Sequence, residues 1–420
     1  MQKMKYSGVE WIGEIPEDRR IIRNKYALSF IKGKIPSEIN TEQKGIPYIG
    51  ASDLDTLSGN ANYLLYTSDV NVPMCNSEDV LVLWDGARAG LIGKNHTGAI
   101  SSTIVKITPD QFINKHFFFW YLKGFEKYLY ECVNGTTIPH MNKKYVEDIM
   151  MIDWSLDDQK RIADFLDDKC GKIDRYIEKQ QRIIDKLKEY KQAVITEAVT
   201  KGLDPDAPMK DSGIEWIGMI PEHWEVPEIK YLVRIASGGT PDRNHPEYWN
   251  GNIPWIKTGE LQNDIITNAE EYITEEGLNN SSAQVFNINT ILVAMYGQGK
   301  TRGMTALLKT PASTNQACAG LTVTNSNVQI EYLWQCLIGA YDAIRSEAAG
   351  SGQPNLSATL IGNFHIALPP IEEQGLIVEY IKDRTVEIKS TIHKAEKLLE
   401  KLTEYKKSLI YEAVTGKKEV

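Results

Sequence analysis

The sequence has few cysteines and no long apolar run. Its five cysteines stand alone, without C-x-x-C pairs or neighbouring histidine pairs, so neither a disulfide framework nor a zinc site is indicated. No apolar stretch approaches the roughly 18 residues of a membrane span, and no early apolar run of the export type is present. We therefore expect a cytoplasmic protein with reduced thiols that uses no metal or cofactor and does not bind a membrane.

An excess of positive charge is also absent, which at first argues against nucleic-acid binding. The formal net charge is −9, and residues 211–366 alone carry 16 acidic and 8 basic side chains. Two of those few cations, Lys300 and Arg302, lie in one glycine-rich turn. A local basic patch on an acidic body is compatible with DNA binding, whereas a uniformly acidic surface is not.

The chain does contain an internal duplication. The motif S-G-x-E-W-I-G-x-I-P-E at residues 7–17 returns at residues 212–222. Further along, Glu189-Tyr190-Lys191 returns as Glu404-Tyr405-Lys406, an offset of 215 residues. The chain is therefore two copies of one unit, each made of an opening motif, a globular region and a long helix. Such repetition indicates pseudo-twofold symmetry within one polypeptide.

The long segment that closes each copy has the pattern of a coiled-coil helix. Apolar or small residues recur every seven positions, with Gln180 and Lys191 as exceptions in the first copy. Two such ladders form the stripe of a coiled-coil seam. Ser155 begins a capping box, Pro370 suits a first helical turn, and Gly202 and Gly416 stand where C-terminal caps belong. Each helix should run about 43 residues, or roughly 64 Å. A single apolar stripe needs a partner, and the other copy has the same seam.

The regions between these helices predict α+β domains. The apolar run at residues 80–84 corresponds to that at residues 291–295, and a glycine-rich turn follows each run. Short β-type runs separated by Gly, Pro and Asn turns, with a helical stretch at residues 115–130, are typical of this class. We place domain 1 at residues 1–152, the central helix at 153–203, domain 2 at 204–366 and the C-terminal helix at 367–420.

Three shorter runs accompany the opening motifs: Gly239-Thr240-Pro241, Ile253-Pro254-Trp255-Ile256 and L-P-P-I-E-E-Q at residues 368–374. With the tandem architecture, they make the chain resemble the specificity (S) subunit of Type I restriction-modification systems. The resemblance implies two target-recognition domains, each of which reads one half of a split, asymmetric site on double-stranded DNA. It also implies that the long helices pair as an antiparallel coiled coil, space the domains and dock two methyltransferase subunits, to which nuclease/translocase subunits are added.

Other interpretations of the motifs remain open. Residues 294–301 fit a relaxed phosphate-loop pattern and suggest an ATP-binding protein, but Ala294 replaces the first glycine. The run at residues 368–371 is superficially similar to a methyltransferase motif without its polar and aromatic side chains. The Asp158-Gln159-Lys160 run lacks a partner aspartate for a nuclease site. A coiled-coil scaffold that binds only proteins is the remaining alternative.

We therefore predict a non-catalytic DNA-recognition subunit. The candidate DNA contacts are cations and amides on turns, because such groups can meet phosphates and base edges. In domain 1 they are Lys32, Lys34, Arg88, Asn142, Lys143 and Lys144, and in domain 2 they are Arg243, Lys257, Gln298, Lys300, Arg302 and Asn355. No residue is assigned a catalytic or metal-binding role.

Overall fold

The chain folds into two compact units. The computed structural model describes residues 3–9, 12–24, 27–55, 63–133, 139–297, 299–349 and 355–420. Unit 1 comprises Met1–Gln181 with Glu396–Val420, and unit 2 comprises Arg182–Ala395. Each unit thus contains one globular region and a part of each long helix.

Unit 1 contains twelve of the described strands and the first four helices. The strands are β1 (Met4–Tyr6), β2 (Glu14–Pro16), β3 (Ile21–Arg23), β4 (Leu28–Lys32), β5 (Ile46–Ile49), β6 (Tyr66–Thr67), β7 (Met74–Cys75), β8 (Val80–Leu83), β9 (Ile92–Gly93), β10 (Gly98–Ile100), β11 (Ile104–Pro109) and β12 (Met150–Ile152). The helices are α1 (Lys115–Gly124), α2 (Glu126–Val133), α3 (Lys143–Glu147) and the first part of α4 (Leu156–Lys201).

Two four-stranded sheets form most of the β part of unit 1, beside the two-stranded sheets β1-β2 and β12-β3. One has the order β4-β11-β8-β9 with antiparallel neighbours, and the other has the order β6-β5-β10-β7. All four residues of β8 are buried aliphatic side chains, which suits a strand covered on both faces. Helix α1 packs its aromatic residues into the same core.

The helical stretch predicted at residues 115–130 forms two successive helices, α1 and α2. Asn114 begins α1 by accepting hydrogen bonds from the backbone N–H groups of His116 and Phe117. The helix ends at Gly124, and Phe125 leaves the helical conformation with φ −107°. A Cβ at Gly124 would lie 3.1 Å from Val414 Cγ2, so the glycine lets the end of α1 approach the neighbouring long helix closely.

Unit 2 repeats this plan around a five-stranded central sheet. Its strands are β13 (Met209–Asp211), β14 (Met219–Pro221), β15 (Val233–Ser237), β16 (Trp249–Ile256), β17 (Asp264–Ile266), β18 (Glu271–Ile273), β19 (Ile291–Ala294), β20 (Thr305–Leu308), β21 (Ser313–Thr314) and β22 (Cys318–Val323). Its helices are α5 (Glu275–Asn279), α6 (Ile330–Gly339), α7 (Tyr341–Ala349), α8 (Ala358–Asn363), the end of α4 and the first part of α9 (Ile371–Val414). The five-stranded sheet has the order β15-β22-β19-β20-β17, and a second sheet has the order β18-β16-β21.

The long helices α4 and α9 have the ends that the sequence predicts. They run for 46 and 44 residues. Before α4, the Ser155 hydroxyl accepts from the backbone N–H of Asp158 at 3.1 Å and donates to its carboxylate at 2.8 Å. After the helices, Gly202 and Gly416 take φ values of 76° and 68°, the left-handed conformation of a glycine C-cap.

Within each unit the two long helices run in opposite directions. In unit 1, Trp154 Nε1 donates to the Val414 carbonyl at 3.2 Å, whereas Asp174, further along α4, pairs with the earlier residue Lys406 at 2.5 Å. In unit 2, residues 191 and 389 line one cavity, and residues 201 and 376 line another. Higher numbers on α4 therefore face lower numbers on α9, as in the predicted antiparallel pair.

The opening motif forms the same small hairpin in both units. The backbone N–H of Ser7 donates to Gly13 O at 2.9 Å, and that of Ser212 donates to Gly218 O at 3.0 Å. Trp11 lies outside the described residues, but its counterpart Trp216 donates from Nε1 to the His365 carbonyl at 3.2 Å. The sequence repeat is therefore also a repeat of local structure.

Candidate nucleic-acid interface

The carboxyl end of β8 is the meeting point of three loops in unit 1. Trp84, the next residue, donates from its backbone N–H to Thr103 O at 2.7 Å and accepts from the N–H of Met141 at 2.8 Å. Asp85 then forms an isolated β-bridge with His140. The glycine turn after β8 is thereby held beside the turn before β11 and the segment before α3.

The carboxyl end of β19 has the same arrangement in unit 2. The N–H of Met295 donates to Ala317 O at 2.8 Å, and Met295 O accepts from the N–H of Leu356 at 2.9 Å. Met295 corresponds to Trp84, and Leu356 corresponds to Met141, in the duplication. The two units therefore share a backbone framework for these loops and fill it with different side chains.

One glycine in each unit brings a further loop to this framework. A Cβ on Gly33 would lie 2.2 Å from Ile100 O, and a Cβ on Gly238 would lie 2.2 Å from Thr314 O. Both glycines are required by this close backbone approach. The segments that begin at Lys34 and at the Gly-Thr-Pro run of residues 239–241 consequently lie next to the strand ends.

Asp85, at the carboxyl end of β8, binds two basic side chains of unit 1, Lys32 and His140. Lys32 Nζ lies 3.0 Å from one Asp85 carboxylate oxygen, and His140 Nδ1 contacts the other. Burial would raise the pKa of Asp85, but the hydrogen bonds from Lys32 and His140 lower it. Lys143 Nζ lies 5.1 Å from the ring centroid of Phe30, on the strand that carries Lys32. Lys32 and Lys143 therefore both lie at β4, the edge strand of its sheet.

The other candidates of unit 1 have different surroundings. Asn142 caps α3, because its side-chain oxygen accepts from the N–H of Lys144 at 2.9 Å. Lys34 and Lys144 have exposed side chains. Arg88 is also exposed and donates from Nη2 to Ala51 O at 3.0 Å. Asn142 therefore has a structural role, and the three cations face solvent.

Arg345 and Tyr341 hold the glycine turn of unit 2, and sequence reasoning missed both. Arg345 donates to Gly299 O at 2.9 Å and to Arg302 O at 2.7 Å. The Tyr341 hydroxyl donates to Lys300 O at 2.6 Å. These contacts use backbone carbonyls and leave the Lys300 side chain exposed. Both residues belong to α7, and no local sequence pattern links α7 to the turn.

A second basic group of unit 2 lies against tryptophan and glutamate. The Arg243 guanidinium stands 3.6 Å from a Trp249 ring centroid and pairs with Glu271 at 2.6 Å. Lys257 Nζ lies 3.1 Å from Glu271 and 2.8 Å from Glu270. The hydrogen bond from Arg243 lowers the pKa of Glu271. Arg243 and Lys257 are therefore brought together, with acidic partners in this structure.

Two candidates of unit 2 remain. Asn355 is exposed and immediately precedes Leu356, which is bound to the end of β19. Asn355 therefore lies at the same strand end as the turn that contains Lys300 and Arg302. Gln298 lies outside the described residues.

The alternative motifs have other roles in the structure. The turn after β19 leads directly into antiparallel β20, and the N–H of Gly303 donates to Ala294 O at 2.9 Å. A phosphate loop requires a helix there. The L-P-P-I run ends where α9 begins, and Gln374 Nε2 donates to Pro369 O at 2.9 Å. Asp158 belongs to the capping box of α4 and pairs with Arg19 at 2.7 Å.

Metal-ligand clusters and membrane-spanning helices are both missing from the described ranges. Among those residues, no group of three or more His, Cys, Asp and Glu side chains could hold a metal ion. None of the helices in the same part of the chain combines the length and the apolar character that a membrane crossing needs.

Two similar α+β units, each with turns and cations gathered at the end of a central strand, define an internally duplicated recognition protein. The family described as "Type I restriction modification DNA specificity domain" matches residues 27–189 and 221–401. The chain belongs to this family, and each half carries one match. It is therefore a DNA specificity subunit with two tandem target-recognition domains, which confirms the resemblance. The expected fold class is confirmed as well.

Individual relatives agree with this assignment. The chain is 28% identical over 415 residues to the MjaVIII specificity subunit of Methanocaldococcus jannaschii, covering 96% of this chain and 93% of that protein. It is 30% identical over 183 residues to the EcoR124I/EcoR124II specificity subunit of Escherichia coli, covering 41% and 45%. A solved chain from work on complex assembly and conformational transition of the type I R-M system has a TM-score of 0.64 and 15% identity, with 95% of this chain and 98% of that one covered. That likeness shows the fold.

Proposed function

We propose that each recognition domain reads one half of a bipartite, asymmetric DNA site through the loops at the end of β8 or β19. The shared backbone framework with different side chains carries this proposal. A repeated framework would approach the duplex in the same way twice. Different side chains on it would meet different base edges and so read different sequences.

The local charges fit contact with a phosphate backbone. Lys32 and Arg243 are about half exposed, with 49% and 53% of their side-chain surface accessible. Ion pairs at such exposed positions contribute only about 0–1 kcal/mol, so exchange of Asp85 or Glu271 for a DNA phosphate costs little. We expect affinity to fall with salt, because each neutralised phosphate releases counterions.

Arginine residues on the glycine turns are the best candidates for base readout in our proposal. Arg88 and Arg302 each follow a corresponding central strand. An arginine can bind guanine O6 and N7 through two parallel hydrogen bonds. Around them, Lys34, Lys143, Lys144, Lys257 and Lys300 would contact phosphates, and Asn142, Gln298 and Asn355 are amide candidates.

The long helices are proposed to set the distance between the two half-sites. One heptad inserted after Leu187 and another after Leu402 would keep the seam in register while lengthening the pair by about 10 Å. DNA rises about 3.4 Å per base pair along one strand. The preferred spacer should therefore grow by roughly three base pairs, while the bases read in each half stay the same.

Selection from a spacer library measures this change directly. A heptad inserted in one helix only is the matched control, because it places unequal lengths side by side and should disturb assembly. An unchanged optimal spacer in the double insertion, with folding and methyltransferase assembly intact, would show that the helices do not set the distance between the half-sites. Because the added step also rotates one half-site around the duplex, affinity should fall as the preference moves.

The same helices are proposed to dock two methyltransferase subunits, to which nuclease subunits are then added. Tyr190 on α4 and Tyr405 on α9 occupy equivalent positions in the duplication and are 52% and 56% exposed. Exposed tyrosines often dominate the energy of an interface. Two equivalent tyrosines therefore suit two equivalent docking points.

Native mass spectrometry of the assembled complex tests this docking. Tyr190→Ala and Tyr405→Ala should each leave a complex with one methyltransferase subunit, and the double variant should bind none. Tyr176→Ala is the control, because Tyr176 is 62% exposed on α4 and threonine occupies the equivalent position, residue 391. Full occupancy in the double variant would contradict the proposed docking points.

Identification of the methylated motif in the host genome, followed by gel-shift assays of the complex with methyltransferase, tests the function as a whole. We expect binding to the motif to require both halves. A protein-only scaffold would show no dependence on DNA sequence. The purified chain alone should neither cleave nor methylate DNA, and methyl transfer by it from S-adenosylmethionine would overturn the proposed non-catalytic role.

A further inference from the structure

The junction between the long helices and the sheet is neutral in unit 1, because each lysine there has an aspartate partner. Lys94 Nζ lies 3.2 Å from Asp167, and Lys406 Nζ lies 2.5 Å from Asp174. His116 and Trp120 also donate to Asp167, at 2.7 and 2.9 Å. Both aspartates belong to α4.

The equivalent junction of unit 2 is positively charged instead. At the offset of 215, lysines replace both aspartates and also occupy the positions of the two lysines of unit 1. Two lysine–aspartate pairs thereby become a group of four lysines. These four residues, the lysine group, are Lys191, Lys309, Lys382 and Lys389.

The lysine group lines one cavity inside unit 2. The cavity has a volume of about 380 Å³ and lies among α4, α6, α9 and the ends of β17 and β20. Its apolar wall includes Ile195, Trp334 and Ile381. The four lysines come to it from three separate parts of the sequence.

Two carboxylates also line the cavity, so the lysines outnumber the acids by two. Asp264 lies 3.6 Å from Lys389 Nζ, and Glu331 lies 3.3 Å from Lys309 Nζ. Within the described residues, Lys191 and Lys382 have no carboxylate within 4.0 Å. The cavity therefore carries an unbalanced positive charge.

Lys191 is the member of the group that most needs an anion. Its side chain is half-buried on α4, and an ammonium group removed from water is unfavourable without a counter-charge. Burial and the nearby charge of Lys389 lower the pKa of Lys191, against the opposing effect of Asp264. In unit 1, the residue equivalent to Lys191 is Lys406 on α9, and Asp174 supplies its counter-charge.

We propose that this cavity binds a small oxyanion, a phosphate or a dicarboxylate, which takes the place of the two missing aspartates. The volume admits such an ion, and the four lysines line the cavity from α4, α9 and the segment that follows β20. The site is separate from the recognition loops, so the proposal does not rest on which DNA bases are read.

Binding of oxyanions to the full chain tests the proposal. Calorimetric titration and thermal unfolding are carried out with sodium phosphate and with sodium succinate, against sodium chloride of equal ionic strength. Wild-type protein should bind one of the two oxyanions with saturation and show a higher Tm in its presence. A response to phosphate alone identifies a phosphate site, and a response to succinate alone identifies a dicarboxylate site.

Lys389→Asp is the decisive variant, because it recreates beside Lys191 the pair that Lys406 and Asp174 form in unit 1. It should lose oxyanion affinity by about tenfold or more, since a favourable charge becomes unfavourable. In chloride its Tm should equal or exceed that of wild type. Lys394→Asp changes the same charge at an exposed position of the same helix and should keep the affinity.

A second variant, Lys191→Gln, guards against misfolding of the first and should also lose oxyanion affinity. The proposal is overturned when wild type shows no response beyond that to chloride. It is likewise overturned when both cavity variants fold and keep the wild-type response, because the ion would then bind elsewhere on the chain.

Discussion

The two candidate recognition sites share their backbone framework but stabilise it with side chains of opposite charge. In unit 1, an acidic side chain, Asp85, holds the basic side chains Lys32 and His140. In unit 2, a basic side chain, Arg345, holds the backbone carbonyls of a turn and leaves the side chain of Lys300 exposed. The duplication has thus kept the backbone framework and changed its anchor, the side chain that holds it, which is Asp85 in unit 1 and Arg345 in unit 2. Anchor substitutions should alter charge in unit 1 and loop shape in unit 2.

Loss of the framework itself should have the largest effect. Gly33→Ala and Gly238→Ala each place a Cβ 2.2 Å from a backbone oxygen. Each should destabilise its own unit by about 3 kcal/mol. Hydrogen exchange resolved along the chain measures the two units separately. Gly259→Ala is the control, because a Cβ there meets nothing within 4 Å. Stability equal to that control would show that the close approach can relax.

Removal of these anchors should affect DNA binding in the two half-sites differently. Arg345→Ala removes two charge-assisted hydrogen bonds, each worth about 1.5–3 kcal/mol, and should abolish discrimination in the second half-site. Arg345→Lys should restore little of this discrimination, because an ammonium group cannot reproduce the two-pronged hydrogen bonding of a guanidinium group. Asp85→Asn should instead tighten binding to random DNA, since it removes a negative charge beside Lys32. Binding to libraries randomised in one half-site measures both effects, and equal loss in both halves would contradict the assignment.

Arg88→Ala and Arg302→Ala compare readout in the two halves. Each should cost about 1–3 kcal/mol on the specific site and relax preference only in its own half. Competition with random DNA provides the measurement, and the lysine substitutions, which keep the charge but not the fork, provide the controls. Equal weakening on specific and random DNA would identify the residue as a phosphate contact.

The smallest expected effect is a difference between the two helix junctions in how stability against unfolding depends on pH. Burial would raise the pKa of Asp167, but His116 and Lys94 outweigh it and hold the pKa at about 2. A lowered pKa stabilises the fold above the unfolded value of about 3.9, and this stability is lost as pH falls toward 2. Asp167→Asn should therefore cost about 1 kcal/mol at pH 7, with allowance for partial exposure. The difference from wild type should vanish between about pH 4 and pH 2.

Denaturant unfolding of unit 1 at several pH values checks this prediction. Lys382→Gln, at the equivalent position of unit 2, is the matched control and should show no loss of stability over the same acid range. A cost of Asp167→Asn that stays constant down to pH 2 would contradict the assigned role of the carboxylate.

Periodicity and end signals were enough to predict the long helices, because caps and heptads act within a few residues. The central strands β8 and β19 were equally visible as apolar runs followed by glycine turns. The stretch predicted as helical at residues 115–130 is helical but divided, because Gly124 ends α1 where it meets Val414. That contact joins distant parts of the chain, and the local pattern contains no sign of it.

The candidate site was less predictable for the same reason. Glycine turns and their cations indicated the ends of β8 and β19 as candidates, but the Lys32–Asp85 pair spans 53 residues and the Arg345–Gly299 contact spans 46. Side chains that bind distant backbone carbonyls follow no period. The lysine group likewise emerges only when the fold brings separate segments together.

The division of unit 1 into two segments also affects the order of events during synthesis. Its core includes Leu409, Ile410, Ala413 and Val414 from the end of α9, whereas unit 2 is one continuous stretch, Arg182–Ala395. The first recognition domain must therefore wait while all of unit 2 is translated, on the order of 10–40 s at ~5–20 residues per second. During that interval the apolar surface that later receives α9 is open to chaperones, and the domain made second can finish folding first.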